Sequence, residues 1–195
     1  MKIILGSQSS NRREIFEIVG IDVEVIVSEV DEKGIRDKDL EVRALKIAKL
    51  KMEKIKEEYL KNNSEPAVII TADGFNESQG KVLEKPASLD EAKEMLRHLS
   101  GDKTIFYSAL VMYNTNLDEE FSSVVSCSCW FRDLSEEEID WYVKRTPVMK
   151  YAAAYSPLNT AAISFISRVE GSISGFSHSV PMDLVVPQLR KWGAV

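Results

Sequence analysis

Cysteine is scarce in this chain of 195 residues: Cys127 and Cys129 are the whole complement. They lie two apart in SVVSCSCWF, where strand alternation puts both side chains on one face without the geometry of an easy disulfide. Reduced, structural cysteines are therefore expected. Histidine is equally rare, with 2 residues and no CxxC pair, so a zinc site lacks ligands, and any metal is expected to be a hard cation held by carboxylates. No run approaches the roughly 18 apolar residues of a membrane span, and no basic segment followed by an apolar stretch and a cleavage site opens the chain. A cytoplasmic protein without a membrane partner is the expectation. Basic charge is in deficit too: 25 Lys and Arg against 31 Asp and Glu leave a net charge of −6, with a pI near 5.1. No basic field is present to draw in nucleic acid. Also missing are G-x-x-x-x-G-K-[ST], G-x-G-x-x-G and any nucleophile elbow near His98 or His178, which argues against a P-loop enzyme, a dinucleotide fold and a serine triad.

What is present is 44% hydrophobic residues, enough for a single domain over residues 1–195 with a real core. The opening stretch MKIILGSQSSNRREIFEIVG reads as strand, tight polar loop and helix. Lys2 to Leu5 suits a buried strand, and Gly6 permits a turn that a bulkier side chain would hinder. Ser7, Ser9 and Ser10 follow, and Ile15, Phe16 and Val19 recur at helical spacing up to Gly20, so the helix starts near Ser10 or Asn11. Its free N–H groups, the positive end of its dipole, and Arg12 and Arg13 make a candidate phosphate cradle. An ordinary capped helix with surface arginines accounts for the same residues.

Val23 to Ser28 is expected to add a strand in a βαβ arrangement. Lys38 to Leu60 reads as a long helix burying Leu40, Ala44, Ile47, Ala48, Leu50 and Ile55, with Lys49 beside the apolar stripe, either snorkelling or reaching into a cleft. Ala67 to Ala72 is an apolar strand expected to end at Asp73. Open α/β sheets place ligand chemistry at such an end, although a turn aspartate is the simpler explanation. Asn76 to Lys81 reads as a hairpin turn, and Lys85, fixed next to Pro86, could reach back toward Asp73. Ser88 to Glu91 and Ser135 to Glu138 are capping boxes opening helices to Leu99 and about Lys144. Between them Ile105 to Tyr113 and Ser122 to Phe131 form a hairpin. Ala161 to Val169 reads as a strand, Glu170 to Ser179 as a loop, and Pro181 to Trp192 as a helix kinked or shortened by Pro187. The order of elements is that of a mixed α/β sheet with an antiparallel part. Asp31, Glu32 and Asp73 could serve a magnesium-class ion, and Arg12, Arg13, Lys49 and Lys85 could serve phosphates, a combination that suits phosphoryl chemistry.

These residues resemble the Maf family of nucleoside triphosphate pyrophosphatases. The family's S-x-S-P-R-R-x-E-L-L is answered by Ser7 to Phe16, its S-E-V-D-E by Ser28 to Glu32, an alanine-lysine pair in the long helix by Ala48-Lys49, and its A-D by Ala72-Asp73. Glu84-Lys85-Pro86 followed by Met95-Leu96-Arg97 and Leu99-Ser100-Gly101 resembles the E-K-P…M-L-x-x-L-S-G block, and Phe131 to Ile139 the F-R-x-L-S-x-x-E-I block. The resemblance implies a Maf/ITPase-like α/β fold, a mixed twisted sheet flanked by helices in two lobes around a central cleft, often as a homodimer. It implies hydrolysis of an NTP to NMP and pyrophosphate with Mg²⁺ or Mn²⁺. Carried onto matching positions, Ser7, Ser9, Arg12, Lys49 and Lys85 meet phosphate with Arg13 as a helper. Glu32 and Asp73 hold the metal, and Asp73 with Glu32 and Lys85 forms the catalytic set.

The departures are specific. Ser10 and Asn11 replace the family's proline and first arginine, Gly74 replaces the threonine or glutamine after the aspartate, and Leu158 stands where a base-reading glutamine is expected. The loop before Ser179-Val180-Pro181 resembles in length that of the 7-methyl-GTP subgroup better than that of the pyrimidine-specific one. A catalytically weak or inactive nucleotide-binding homologue is the alternative these changes suggest.

Overall fold

The computed structural model describes residues 1–195 apart from residues 28, 29, 33, 158 and 159. Strand β1 (Lys2–Leu5) leads into helix α1 (Ser10–Ile18), and the chain returns through the two-residue strand β2 (Glu24–Val25) to the long helix α2 (Leu40–Asn62). Strands β3 (Ala67–Ser78) and β4 (Lys81–Leu83), helix α3 (Leu89–Leu99), strands β5 (Lys103–Asn114) and β6 (Glu119–Phe131) and helix α4 (Glu136–Arg145) follow. After short 3₁₀ turns come β7 (Ile166–Gly171), α5 (Ile173–His178) and α6 (Met182–Lys191). The strands join in one sheet of order β2-β1-β3-β5-β6-β7, with β4 on β3. β1 is parallel to β2 and β3, while β3/β4 and β6/β7 are antiparallel. The mixed α/β class expected from the sequence is therefore correct.

The chain divides into two compact units. One comprises Met1–Gly74, Ser108–Val125 and His178–Val195, and the other Phe75–Tyr107 and Ser126–Ser177. Each has its own core. In the first, Ile3, Leu5, Phe16, Val68 and Ile70 pack with Leu110, Met112, Val185, Leu189 and Trp192. In the second, Leu96, Leu99, Phe106, Phe131, Tyr142, Tyr155 and Phe165 pack around Cys127 and Cys129. Both cysteines are buried and free, and burial pushes their thiols up to about 11 and about 12. They are structural, as expected.

Local rules account for most boundaries. Asp39 caps α2 through the N–H groups of Glu41 and Val42. Ser135 and Glu138 form a reciprocal capping box on α4, whereas Ser88 caps α3 by accepting from Glu91 while Glu91 takes the N–H of Ala87 instead.

Four expectations need correction. β3 does not end at Asp73 but runs on to Ser78, because Asn76, Glu77 and Ser78 find ladder partners in Leu83, Val82 and Lys81 across a tight turn. Its two central residues, Gln79 and Gly80, have φ of 51° and 78°, the conformation that two-residue hairpins require. Leu50 is 39% exposed rather than buried. Residues Ala161–Phe165 form a 3₁₀ turn, so β7 starts only at Ile166, and the expected Gly/Ser loop contains α5. Neither segment has a distinctive period, which is why pattern alone misplaces them.

Candidate active site

The geometry begins at Gly6, where β1 gives way to the serine loop. Its N–H donates to the Ile70 carbonyl at 2.8 Å. A Cβ there would lie 2.2 Å from Ile55 Cδ1 and 2.7 Å from Thr71 Cγ2, so glycine is needed for the close approach of α2 and β3. The next side chain, Ser7, is buried, and its Oγ accepts from the Ser9 N–H and from Arg12 Nη1, each at 3.2 Å. Ser9 caps α1 by accepting from the Arg12 N–H at 3.4 Å. Arg12 thus folds back over the loop that its own helix starts from. Burial pulls its guanidinium below the ordinary value, and the nearby charges of Asp73 and Glu32 oppose that pull. A positive group with carboxylates beside it and a helix N-terminus beneath it is suited to an anion. Arg13 points elsewhere and pairs with Glu17 at 2.9 Å on the exposed side of α1.

The second half of the site is set by α2 lying on β3. Period two puts Thr71 and Asp73 on one face of the strand, and both meet the helix. The Thr71 hydroxyl donates to the Ala48 carbonyl at 2.8 Å, and Lys51 Nζ donates to Asp73 Oδ1 at 2.8 Å. These ties are separated by about 4.5 Å of rise along the helix and about 6.6 Å along the strand. The long lysine stem takes up the mismatch. Lys51 also pairs with Glu32 Oε1 at 2.9 Å, so one ammonium bridges two carboxylates. The Lys51 and Asp73 side chains are only 10% and 8% exposed, which strengthens their interaction and makes either one costly to leave alone. Glu32, at 49% exposed, is the solvent side of the bridge. The second oxygen of Asp73, Oδ2, is buried without a hydrogen-bond partner. Burial pushes the Asp73 carboxyl above the ordinary value, with Lys51 and Arg12 opposing the shift and Glu32 adding to it.

Ser7, Ser9, Arg12, Glu32 and Asp73, all named from the sequence, therefore come together in the first unit. Lys49 does not join them: it pairs with Glu120 at 2.9 Å and is half exposed. Lys85 follows β4 in the second unit. Leu158, where the glutamine is missing, and Ser28 of the acidic motif lie outside the described residues. The residue that sequence reasoning passed over is Lys51. Its signal was present, because Ala44, Ala48, Lys51 and Ile55 recur at 4-3-4 spacing and all are buried on α2. A lysine within an apolar stripe, rather than beside it, calls for a buried counter-charge.

Among the described residues no three His, Cys, Asp or Glu side chains gather into a metal cage. Glu32 and Asp73 are the pair that could hold a cation, and a magnesium-class ion is commonly bound through one or two carboxylates with substrate phosphates and water completing its shell. The unpartnered Asp73 Oδ2 fits such a ligand.

The chain is 33% identical to a dTTP/UTP pyrophosphatase of Thermotoga petrophila, over 99% of this chain and 90% of that protein. It is 29% identical to a dTTP/UTP pyrophosphatase of Syntrophus aciditrophicus over 100% of this chain and 91% of the relative. A Clostridium perfringens protein of the same name matches at 34% over 88% of this chain and 87% of its own length. The family model described as Maf-like protein matches residues 2–177, and the chain belongs to the Maf family.

Proposed function

We propose that this protein is a nucleoside triphosphate pyrophosphatase that hydrolyses an NTP, normal or modified, to NMP and pyrophosphate with the help of Mg²⁺ or Mn²⁺. The observation that carries the reading is the buried Lys51 bridge between Glu32 and Asp73, within one unit with the Ser7–Arg12 cradle. Relatives named for dTTP and UTP support the substrate class.

In this reading the cradle of Ser7, Ser9 and Arg12, with the N-terminus of α1, receives the phosphate chain. A divalent cation held by Glu32 and Asp73 would neutralise charge on the phosphate oxygens. Water attacks the α-phosphorus, the bond to the bridging oxygen breaks, and pyrophosphate leaves with the electron pair. Asp73 takes the water proton. A carboxylate raised by burial is a stronger base than an ordinary one, and it is ionised only above its raised pKa. Lys51 holds Asp73 in place through Oδ1.

The test is pyrophosphate release over a panel of dTTP, UTP, the other common NTPs and 7-methyl-GTP, with Mg²⁺ or Mn²⁺. Asp73→Asn keeps the shape and loses the base, so its kcat should fall by about 10²- to 10⁴-fold. Absence of turnover on every nucleotide, or full turnover in the variant, overturns the reading. Tight nucleotide binding without turnover would instead establish a non-catalytic binding protein.

A further inference from the structure

Two cationic side chains of α2 are buried, Arg43 and Lys51. They lie on one row of every fourth residue, with Ile47 between them, about 12 Å apart along the helix. Lys51 belongs to the candidate site. Arg43 does not, yet it is only 8% exposed. A guanidinium keeps its charge at any pH the protein meets and carries five donors, so burying it is costly unless acceptors are brought to it. One such acceptor is the Ile35 carbonyl, which takes a hydrogen bond from Arg43 Nε at 3.2 Å.

Ile35 lies between β2 and α2, three residues past Glu32. Its N–H donates to the Glu32 carbonyl at 3.2 Å, and the Glu32 N–H donates to the Val30 carbonyl at 3.0 Å. Glu32 is therefore tied to α2 twice. Lys51 holds its carboxylate at 2.9 Å, and Arg43 holds its backbone through Ile35. The two ties differ in what a metal ion does to them. A cation entering between Glu32 and Asp73 competes with Lys51 for the same carboxylate oxygens, whereas a hydrogen bond that ends on a backbone carbonyl stays in place when the carboxylate turns to a new partner. Without that second tie, the entropy of ordering the segment would be charged against metal binding. Further along, Asp37 pairs with Lys46 at 2.8 Å, but Lys46 is more than half exposed, and an exposed pair holds a segment weakly.

We propose that Arg43 is a positioning residue for the cation site: by holding the Ile35 carbonyl it keeps the Glu32 carboxylate within reach of Asp73, and so sets how tightly the two bind Mg²⁺ or Mn²⁺. The inference rests on the reading of Glu32 and Asp73 as the cation pair.

The experiment is a double-mutant cycle in Mn²⁺ affinity, with free Mn²⁺ counted by its paramagnetic resonance on the full chain without nucleotide. Arg43→Met should weaken binding by about 10- to 100-fold. Arg43→Lys, which still donates to the Ile35 carbonyl, should recover most of that loss, and Lys46→Met should leave the affinity nearly unchanged. Glu32→Gln should also weaken binding, and adding Arg43→Met to it should then cost little more, because Arg43 acts through that carboxylate; independent effects would add. In pyrophosphate release, Arg43→Met should raise the half-saturating Mn²⁺ concentration and regain most of its turnover at saturating Mn²⁺. Should Arg43→Met not fold, Arg43→Gln, shorter but still polar, carries the same cycle. Unchanged affinity on losing Arg43, an equal loss with and without the Glu32 carboxylate, or an equal loss in Lys46→Met overturns the proposal while the catalytic reading stands. Unchanged affinity in Glu32→Gln overturns the reading of the cation pair and the proposal with it.

Discussion

Lys49 and Lys51 stand two positions apart on one helix and do opposite work. Lys49 has rotated out to an exposed pair with Glu120, while Lys51 is buried against Asp73 and Glu32. Lys51→Met leaves a buried carboxylate without its cation, which should cost about 3 kcal/mol or more and abolish turnover. Lys49→Met removes a surface pair and should change stability by less than about 1 kcal/mol, with turnover kept. Urea unfolding and pyrophosphate release on the two variants check this; equal behaviour would mean that the bridge does not support the site. The serines, Arg12, Glu32 and Asp73 were legible from their order and chemistry. Choosing the lysine required helical phase, and an alanine-lysine pair is a weaker guide to phase than the full set of buried positions.

At the scale of elements, the strand-loop-helix opening, the long helix and the capped helices were readable from capping residues and period. The continuation of β3 past Asp73 was not, because Asn76, Glu77 and Ser78 have no β pattern of their own and are held by the ladder to β4. Nor does the sequence show why residue 6 is glycine. A turn is the usual reason, yet here the cause is the packing of Ile55 and Thr71 against it. Gly6→Ala therefore tests the junction of β1, α2 and β3 together. Overpacking of this kind costs about 1–3 kcal/mol, and the urea midpoint should fall with the slope unchanged. Because Thr71 anchors the helix beside Lys51, turnover should fall as well. A stable, fully active variant would show that Ile55 and Thr71 yield freely.

For the whole molecule, the mixed α/β class followed from element order and two lobes from the family resemblance, whereas the membership of each core did not, because each unit is assembled from separated pieces of chain. The cysteines report on one of those cores. Their thiols, with an ordinary value of 9.0, are pushed up to about 11 and about 12, so the folded state holds these protons more firmly than the unfolded one. The stability they contribute is full below pH 9 and is lost as pH rises toward those raised values. Near pH 8 a thiol reagent should modify Cys127 and Cys129 only as fast as the second unit opens, and both at once in denaturant. Rapid labelling of the native protein would show that core to be loose. The pieces of chain also arrive in an order. Every residue of the second unit has been synthesised by residue 177. The unit that carries Asp73 and Lys51 still awaits Val180, Met182, Val185, Leu189 and Trp192, all members of its core. During translation, the unit whose first residues emerge earlier is thus the later of the two to have its whole core available.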